Sequence, residues 1–173
     1  PPGKEMGGIR FEANGDVTIV TGTLDYGQGH AAPFAQVLVQ KLGIPFERIR
    51  LVQGDSDQLI AGGGTGGSRS IMASGTAIVL ASDKVIDNGK QLAGHFLEAA
   101  AADIEFAEGR FTIAGTDRSI GLLDLADRLK QKPNLPEGVP TSLDVSMAVD
   151  SPPSAFPNGC HVCEVEIGPE TGV

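Results

Sequence analysis

The chain has 173 residues, with 40% hydrophobic and 20% charged side chains and a net charge of -9. That is enough chain for one sizeable core, or for two small subdomains sharing one. The acidic balance argues against nucleic acid or an anionic membrane surface as partner, and no apolar run approaches the roughly 20 residues of a membrane span.

In chain order, "GGIRFEANGDVTIVTG" alternates apolar and polar residues on both sides of Asn14-Gly15. Asn-Gly between alternating runs is a hairpin signal, so strands are predicted over Ile9–Ala13 and Val17–Gly22. Residues Ala31 to Leu42 put Phe34, Val37, Leu38 and Leu42 on one helical face, and Gly43 with Pro45 supplies the stop. "RIRLVQGD" predicts a strand from Ile49 to Gln53. A helix is predicted from about Ser68 to Ala101, with Ile71, Ile78, Val85, Leu92 and Phe96 as its apolar stripe. Ala73, Ser74, Gly75 and Ala77 crowd its first turns and let another backbone approach. Gly89 is a candidate for a bend or a break. A second hairpin turns at Glu108-Gly109, and Ser119 is positioned to cap a short helix ending at Lys130. Residues Gln131 to Pro140 read as a linker-like loop, with a possible subdomain break near 131–142. Strands are predicted over Leu143–Val149 and His161–Ile167. The mixture follows no strict alternation, which predicts an α+β fold with a mixed sheet. Pro1 in place of Met, and a turn at Gly168–Gly172 with only Val173 to begin a return strand, predict a fragment of a longer chain.

Two glycine-rich stretches carry the functional signal. "GGGTGGSRSIMASG", residues 62 to 75, places five glycines immediately before the long helix. The first N–H groups of a helix lack internal partners, and its dipole favours an anion there. Glycines let that backbone close on a phosphate, Thr65, Ser68 and Ser70 add hydroxyls, and Arg69 adds a bidentate cation. No Lys-Ser/Thr follows at P-loop spacing. A flexible connector whose Ser68 or Ser70 merely caps the helix stays open as the alternative, as does an ion pair of Arg69 with Asp55 or Asp57. "GQGH", Gly27 to His30, is the second strand-to-helix turn. Gln28 there offers a donor and an acceptor beside a glycine backbone; a plain helix-entry turn is the alternative. Cys160 and Cys163 in "CHVC" face opposite sides of the predicted strand, which excludes a zinc site or a disulfide and leaves them as small packing residues. Two cysteines in all fit a reducing, cytoplasmic setting. No nucleophile with a base and an orienting partner emerges, so no catalytic and no metal-ligating residue is assigned.

Together, "TGTLDYGQGHAAPFAQVLVQKLGIP", "IRLVQGDSDQLIAGGGTGGSRSIMASG" and "FPNGCHVCEVEIGPETG" resemble the molybdenum-binding large subunit of the xanthine dehydrogenase, aldehyde oxidase and carbon monoxide dehydrogenase family. The resemblance runs from about Gly8 to the last residue and implies a middle segment of a molybdopterin-binding domain. It implies that the two turns grip molybdopterin cytosine dinucleotide. By position, Gln28, Gly29 and His30 match the family's "GQGH", and Thr65, Gly67, Ser68, Arg69 and Ser70 match its "GT-x-GSRS". Ala31-Ala32 stand where Glu-Thr usually follows, and Gly66 where an aromatic residue is common. The family's catalytic glutamate, in a "GxGE" motif nearer the C-terminus, is not among these residues, so the resemblance implies that this segment by itself has no dehydrogenase activity. It implies a parent oxidoreductase that acts on an aldehyde, an N-heteroaromatic or carbon monoxide with water as oxygen source. That parent would work with an iron–sulfur small subunit and an FAD medium subunit, as a dimer of heterotrimers. A non-catalytic module binding a phosphorylated small molecule at the glycine-rich loop is the competing expectation.

Overall fold

The computed structural model describes residues 3–153 and 155–172. Two antiparallel strands, β1 (Lys4–Phe11) and β2 (Val17–Val20), form the hairpin expected around Asn14-Gly15. The turn closes through Gly15 N–H to Glu12 O at 3.0 Å, and the Asn14 Oδ1 accepts from Asp16 N at 3.0 Å. Helix α1 (Ala31–Leu42) leads back to β3 (Ile49–Val52), which lies parallel to β2. The long helix α2 (Ser70–Leu97) follows, then a three-stranded sheet of β4 (Ile104–Ala107), β5 (Arg110–Ile113) and β6 (Ser119–Gly121). Helix α3 (Leu122–Lys130) and strand β7 (Val145–Asp150) complete the elements. The main sheet has the order β3-β2-β1-β7 and mixes one parallel pair with antiparallel neighbours, so the fold is α+β with a mixed sheet.

One apolar cluster joins the layers. Phe34, Leu38 and Leu42 of α1 meet Ile78, Val85 and Leu92 of α2, while Ile9 and Ile19 cover them from the sheet; all are fully buried. The cluster continues through Ile120 and Leu125 to Leu143 and Val145, on both sides of residues 131–142. The small residues of α2 serve the close approach expected of them. A Cβ on Gly7 of β1 would lie 2.3 Å from the Ala77 carbonyl oxygen, so strand and helix touch backbone to backbone. Ile71, by contrast, is 49% exposed, and the buried part of the predicted stripe begins two turns later at Ile78.

Several expectations are corrected. The hairpin strand β1 starts at Lys4, five residues before Ile9, because β7 pairs along its whole length from Lys4 to Ile9. Helix α2 ends at Leu97, where Glu98 turns left-handed with φ 54°. Gly89 does not divide it; its bare Cα makes room for the buried Phe111 ring. Ser119 is a strand residue pairing with Thr112, and α3 begins after Gly121 with no side-chain cap. Residues 161–167 form no strand, and no strand among the described residues lies beside them to take their backbone hydrogen bonds. Val162 is 90% exposed, and Cys160 and Cys163 are exposed free thiols rather than packing residues.

The Gly89 contact sets two effects against each other. Alanine gains about 1 kcal/mol of helix propensity over glycine. Here its Cβ would sit 2.1 Å from Phe111 Cζ, and that ring is pinned against Phe106 at a centroid distance of 4.6 Å. Overpacking costs about 1–3 kcal/mol, so Gly89→Ala lowers stability despite the propensity gain. Adding Phe111→Leu should recover part of the loss. Urea denaturation of the two variants and the double variant measures the coupling; additive effects would contradict the contact.

Candidate cofactor site

The site stands at the carboxyl ends of the one parallel pair, β2 and β3. Parallel neighbours release their exit loops on the same side, where open sheets receive ligands. The loop after β2 runs to α1 and carries "GQGH"; the loop after β3 runs to α2 and carries "GGGTGGSRS".

The loops cross in direct backbone contact. A Cβ on Gly22 would fall 2.3 Å from Gly62 Cα, and Gly64 N–H donates to Gly22 O at 3.2 Å. Thr65 fastens the crossing: its hydroxyl donates to Leu24 O at 2.6 Å and accepts from Leu24 N–H at 2.9 Å. Ser70 Oγ donates to Thr65 Oγ1 at 3.3 Å. Beneath the crossing, the buried Glu5 carboxylate accepts from Gly22 N at 2.6 Å and Met6 N at 3.0 Å. Burial raises its pKa above the ordinary value; those two N–H groups and the charge of Arg69 work against the rise.

Arg69 turns back on its own loop. Its Nε and Nη2 donate to Gly64 O at 3.3 and 3.2 Å, in space left by Gly63, where a Cβ would lie 1.9 Å from Nη2. It makes no ion pair with Asp55 or Asp57 among the described residues. Asp55 instead accepts from the Gln58 side chain and Asp57 N–H, which hold its pKa below the usual value, and Gln58 accepts from Arg10 at 2.7 Å.

Between the two turns lies an open cleft of about 350 Å³. Gln28, His30, Thr65, Ser68 and Ser70 line it, with Phe34 and Ile71 as its apolar side. Of the eight residues singled out in the sequence, these five come together there. Gly29, Gly67 and Arg69 stand in the same two turns without lining the cleft. Two helices begin at the site, and neither has a side-chain cap or an acidic residue in its first turn. They differ in one respect. The Asp25 carboxylate accepts from Gly27 N at 2.7 Å, Gly29 N at 3.2 Å and His30 N at 2.6 Å, so the entrance of α1 already holds an anion. Those backbone donors, Gly27 first, hold the Asp25 pKa below its ordinary value. Among the described residues, the entrance of α2 holds none. Ser68 precedes it with φ 56°, a conformation that costs a non-glycine residue about 1–3 kcal/mol and clusters at functional sites.

The molybdopterin cofactor-binding domain family matches residues 2–173. The chain belongs to that family. It is 34% identical over 165 residues to the carbon monoxide dehydrogenase large chain of Hydrogenophaga pseudoflava, covering 95% of this chain and 20% of that one. It is 32% identical over 166 residues to the nicotine 6-hydroxylase large subunit of Paenarthrobacter nicotinovorans, again covering 95% of this chain and 20% of the other. A crystal structure of the Cu,Mo-CO dehydrogenase in its carbon monoxide reduced state superimposes with a TM-score of 0.78 at 31% identity, over 86% of this chain and 18% of that one. The chain thus spans about a fifth of the length of the relatives it matches. As a molybdopterin cofactor-binding domain, it is a segment of the kind found in molybdenum oxidoreductase large subunits. The family match leaves the unrelated phosphate-binding module without support.

The donor set of this molybdopterin cofactor-binding domain fits an anionic cofactor. An uncapped, acid-free helix start opens beside two serine hydroxyls, while the cleft's other side is apolar enough to take a ring. Sequence reasoning missed Asp25, Glu5 and Gln53. Asp25 had a signal, since Asx side chains commonly accept from the N–H two residues on. Gln53 had none, because the hydroxyls it meets lie 32 and 30 residues away.

Two outcomes follow. Thr65→Val keeps shape but strips Leu24 of both partners, so stability falls by about 1–3 kcal/mol and cleavage by protease within residues 62–67 accelerates. Thr65→Ser should stay near the native value in the same proteolysis assay. For Glu5, the folded state keeps its proton to higher pH than the unfolded chain. Its contribution is complete below the unfolded value of 4.5 and is lost as pH rises through the raised folded value. Glu5→Gln retains the acceptor oxygen and removes the titration. Its stability relative to native should therefore rise as pH increases above 4.5, read from denaturation midpoints.

Proposed function

We propose that the cleft binds molybdopterin cytosine dinucleotide, with the cofactor's phosphate and pyrophosphate groups at the start of α2. One observation carries this: of two uncapped helix entrances at the cleft, only that of α2 is not occupied by the chain's own carboxylate. Ser68 and Ser70 supply hydroxyl donors. Gln28 and His30 face the cofactor from the α1 side, with the Gly29 backbone close behind, and Gly67 lets the loop turn toward it. Arg69 braces the loop through Gly64 and contributes positive charge at its base. The cofactor supplies the oxidation–reduction chemistry; this segment binds and orients it.

The parent protein is then a molybdenum hydroxylase or dehydrogenase large subunit, oxidising an aldehyde, an N-heteroaromatic or carbon monoxide. Electrons leave through an iron–sulfur small subunit and an FAD medium subunit, in a dimer of heterotrimers in the cytoplasm. The support is the similarity to carbon monoxide dehydrogenase and nicotine 6-hydroxylase large subunits. No helix among the described residues is long and apolar enough to cross a membrane.

Molybdenum and released nucleotide should be stoichiometric with the full-length protein isolated from a cell able to make the cofactor; absence of both sinks the reading. Ser68→Gly separates binding from folding. Glycine accepts the left-handed backbone, so thermal stability is unchanged or higher. Loss of a hydroxyl donor to a charged oxygen costs about 1.5–3 kcal/mol, so cofactor retention should drop at least tenfold. Unchanged retention would return the loop to the role of a connector.

A further inference from the structure

We propose that Gln53 is a positioning residue that fixes the tautomer of His30, so that His30 Nε2–H is a hydrogen-bond donor facing the cleft. The inference rests on the reading of that cleft as the cofactor site. Gln53 follows β3 and does not line the cleft. Its amide nitrogen Nε2 lies 3.3 Å from His30 Nδ1, 3.0 Å from Thr21 Oγ1 and 2.8 Å from Thr23 Oγ1. The amide has two N–H groups for these three contacts, the one to His30 being the longest; an N–H on His30 Nδ1 would face a nitrogen that cannot accept, so the ring nitrogen on that side carries the lone pair. In a neutral imidazole the proton then resides on Nε2. His30 is 5% exposed and lines the cleft, and its Nε2 has no protein partner among the described residues. A donor so placed suits an oxyanion or carbonyl oxygen on the bound cofactor.

The amide itself is held from behind. Thr23 Oγ1 is 2.9 Å from the fully buried Ser74 Oγ of α2, and 3.3 Å from Thr21 Oγ1. The chain Ser74–Thr23–Gln53–His30 thus runs from inside α2, behind the loop crossing, to the first residue before α1. Phe34 supports the ring from the next turn at a centroid distance of 5.1 Å. The reverse amide orientation would put an oxygen toward Nδ1, require a proton there, and turn Nε2 into an acceptor.

The test uses the full-length protein with isotope-labelled histidine ring nitrogens, observed by solid-state NMR. The His30 signals are identified by their loss in His30→Gln. In the cofactor-free protein, Nδ1 should be unprotonated and Nε2 protonated. Gln53→Leu should mix the two tautomers, and Gln53→Glu should move the proton to Nδ1. On loading with cofactor, the Nε2 signal should shift while Nδ1 stays. Retention of cofactor should fall about two- to tenfold in Gln53→Leu, the effect of one net hydrogen bond. His30→Gln, which keeps an N–H near the Nε2 position, should retain more cofactor than His30→Leu. A protonated Nδ1 in the native protein overturns the assignment, as does a Gln53→Leu variant with native ring protonation. A native protein that loads cofactor without moving the Nε2 signal overturns the donor role alone. A native protein that loads no cofactor overturns the reading of the cleft, and the cofactor-free spectrum still decides whether Gln53 sets the ring.

Discussion

The contact between Gly22 and Gly62 governs the site. With a Cβ at Gly22 placed 2.3 Å from Gly62 Cα, neither position tolerates a side chain without parting the loops. Separation would remove the Gly64-to-Gly22 bond, pull Thr65 away from Leu24 and uncover Glu5, whose carboxylate fixes Gly22 from below. The sheet positions this crossing, because β2 and β3 run parallel and deliver both loops to one end. The glycines ahead of α2 therefore do different things. Gly62 permits the crossing, and Gly63 clears space for the Arg69 guanidinium. The Ser68 and Ser70 hydroxyls come just after, on residues that the apolar core does not use.

Charge selects between two nearly equivalent helix entrances. A chain of net charge -9 offers an anion little long-range attraction, so local donors must supply it. At α1 those donors are spent on Asp25, which shapes the turn and keeps its own proton off. At α2 the first turn meets neither cap nor carboxylate. On the proposed reading, a ligand with anionic groups on one part and a ring on another would take one direction across the cleft. Nothing in the apolar packing would do this, since Phe34 and Ile71 offer no preference of sign.

Much of this was legible in the sequence where local physics decides. Asn14-Gly15 and Glu108-Gly109 both form the expected turns, the second with Glu108 itself left-handed at φ 47°, and the apolar spacing of α1 and α2 picks out most of their buried faces. The reading failed where a distant partner decides. Alternation in residues 161–167 is a strand pattern, but a strand exists only with a neighbour to share its hydrogen bonds, and none lies beside it here. Gly89 looked like a breaker because local propensity cannot see Phe111 arriving from β5. In the site, the two turns were visible as motifs, whereas their joining through Leu24 and Thr65, which stand 41 residues apart, was not.

The buried polar groups explain why the two loops act as one unit. Thr21, Thr23 and Ser74 are buried hydroxyls, and buried polar atoms are costly unless each finds a partner. Here they satisfy one another and Gln53, at distances of 2.8 to 3.3 Å. A network of this kind is strong when complete and expensive when one member is withdrawn. It links the strand ends, the interior of α2 and the ring of His30, so a shift of one loop would leave a donor or acceptor stranded in the other. Apolar contacts alone would tolerate small slides between the loops. The hydroxyl network penalises them, and so ties the loop that carries Gln28 and His30 to the helix that begins at Ser70.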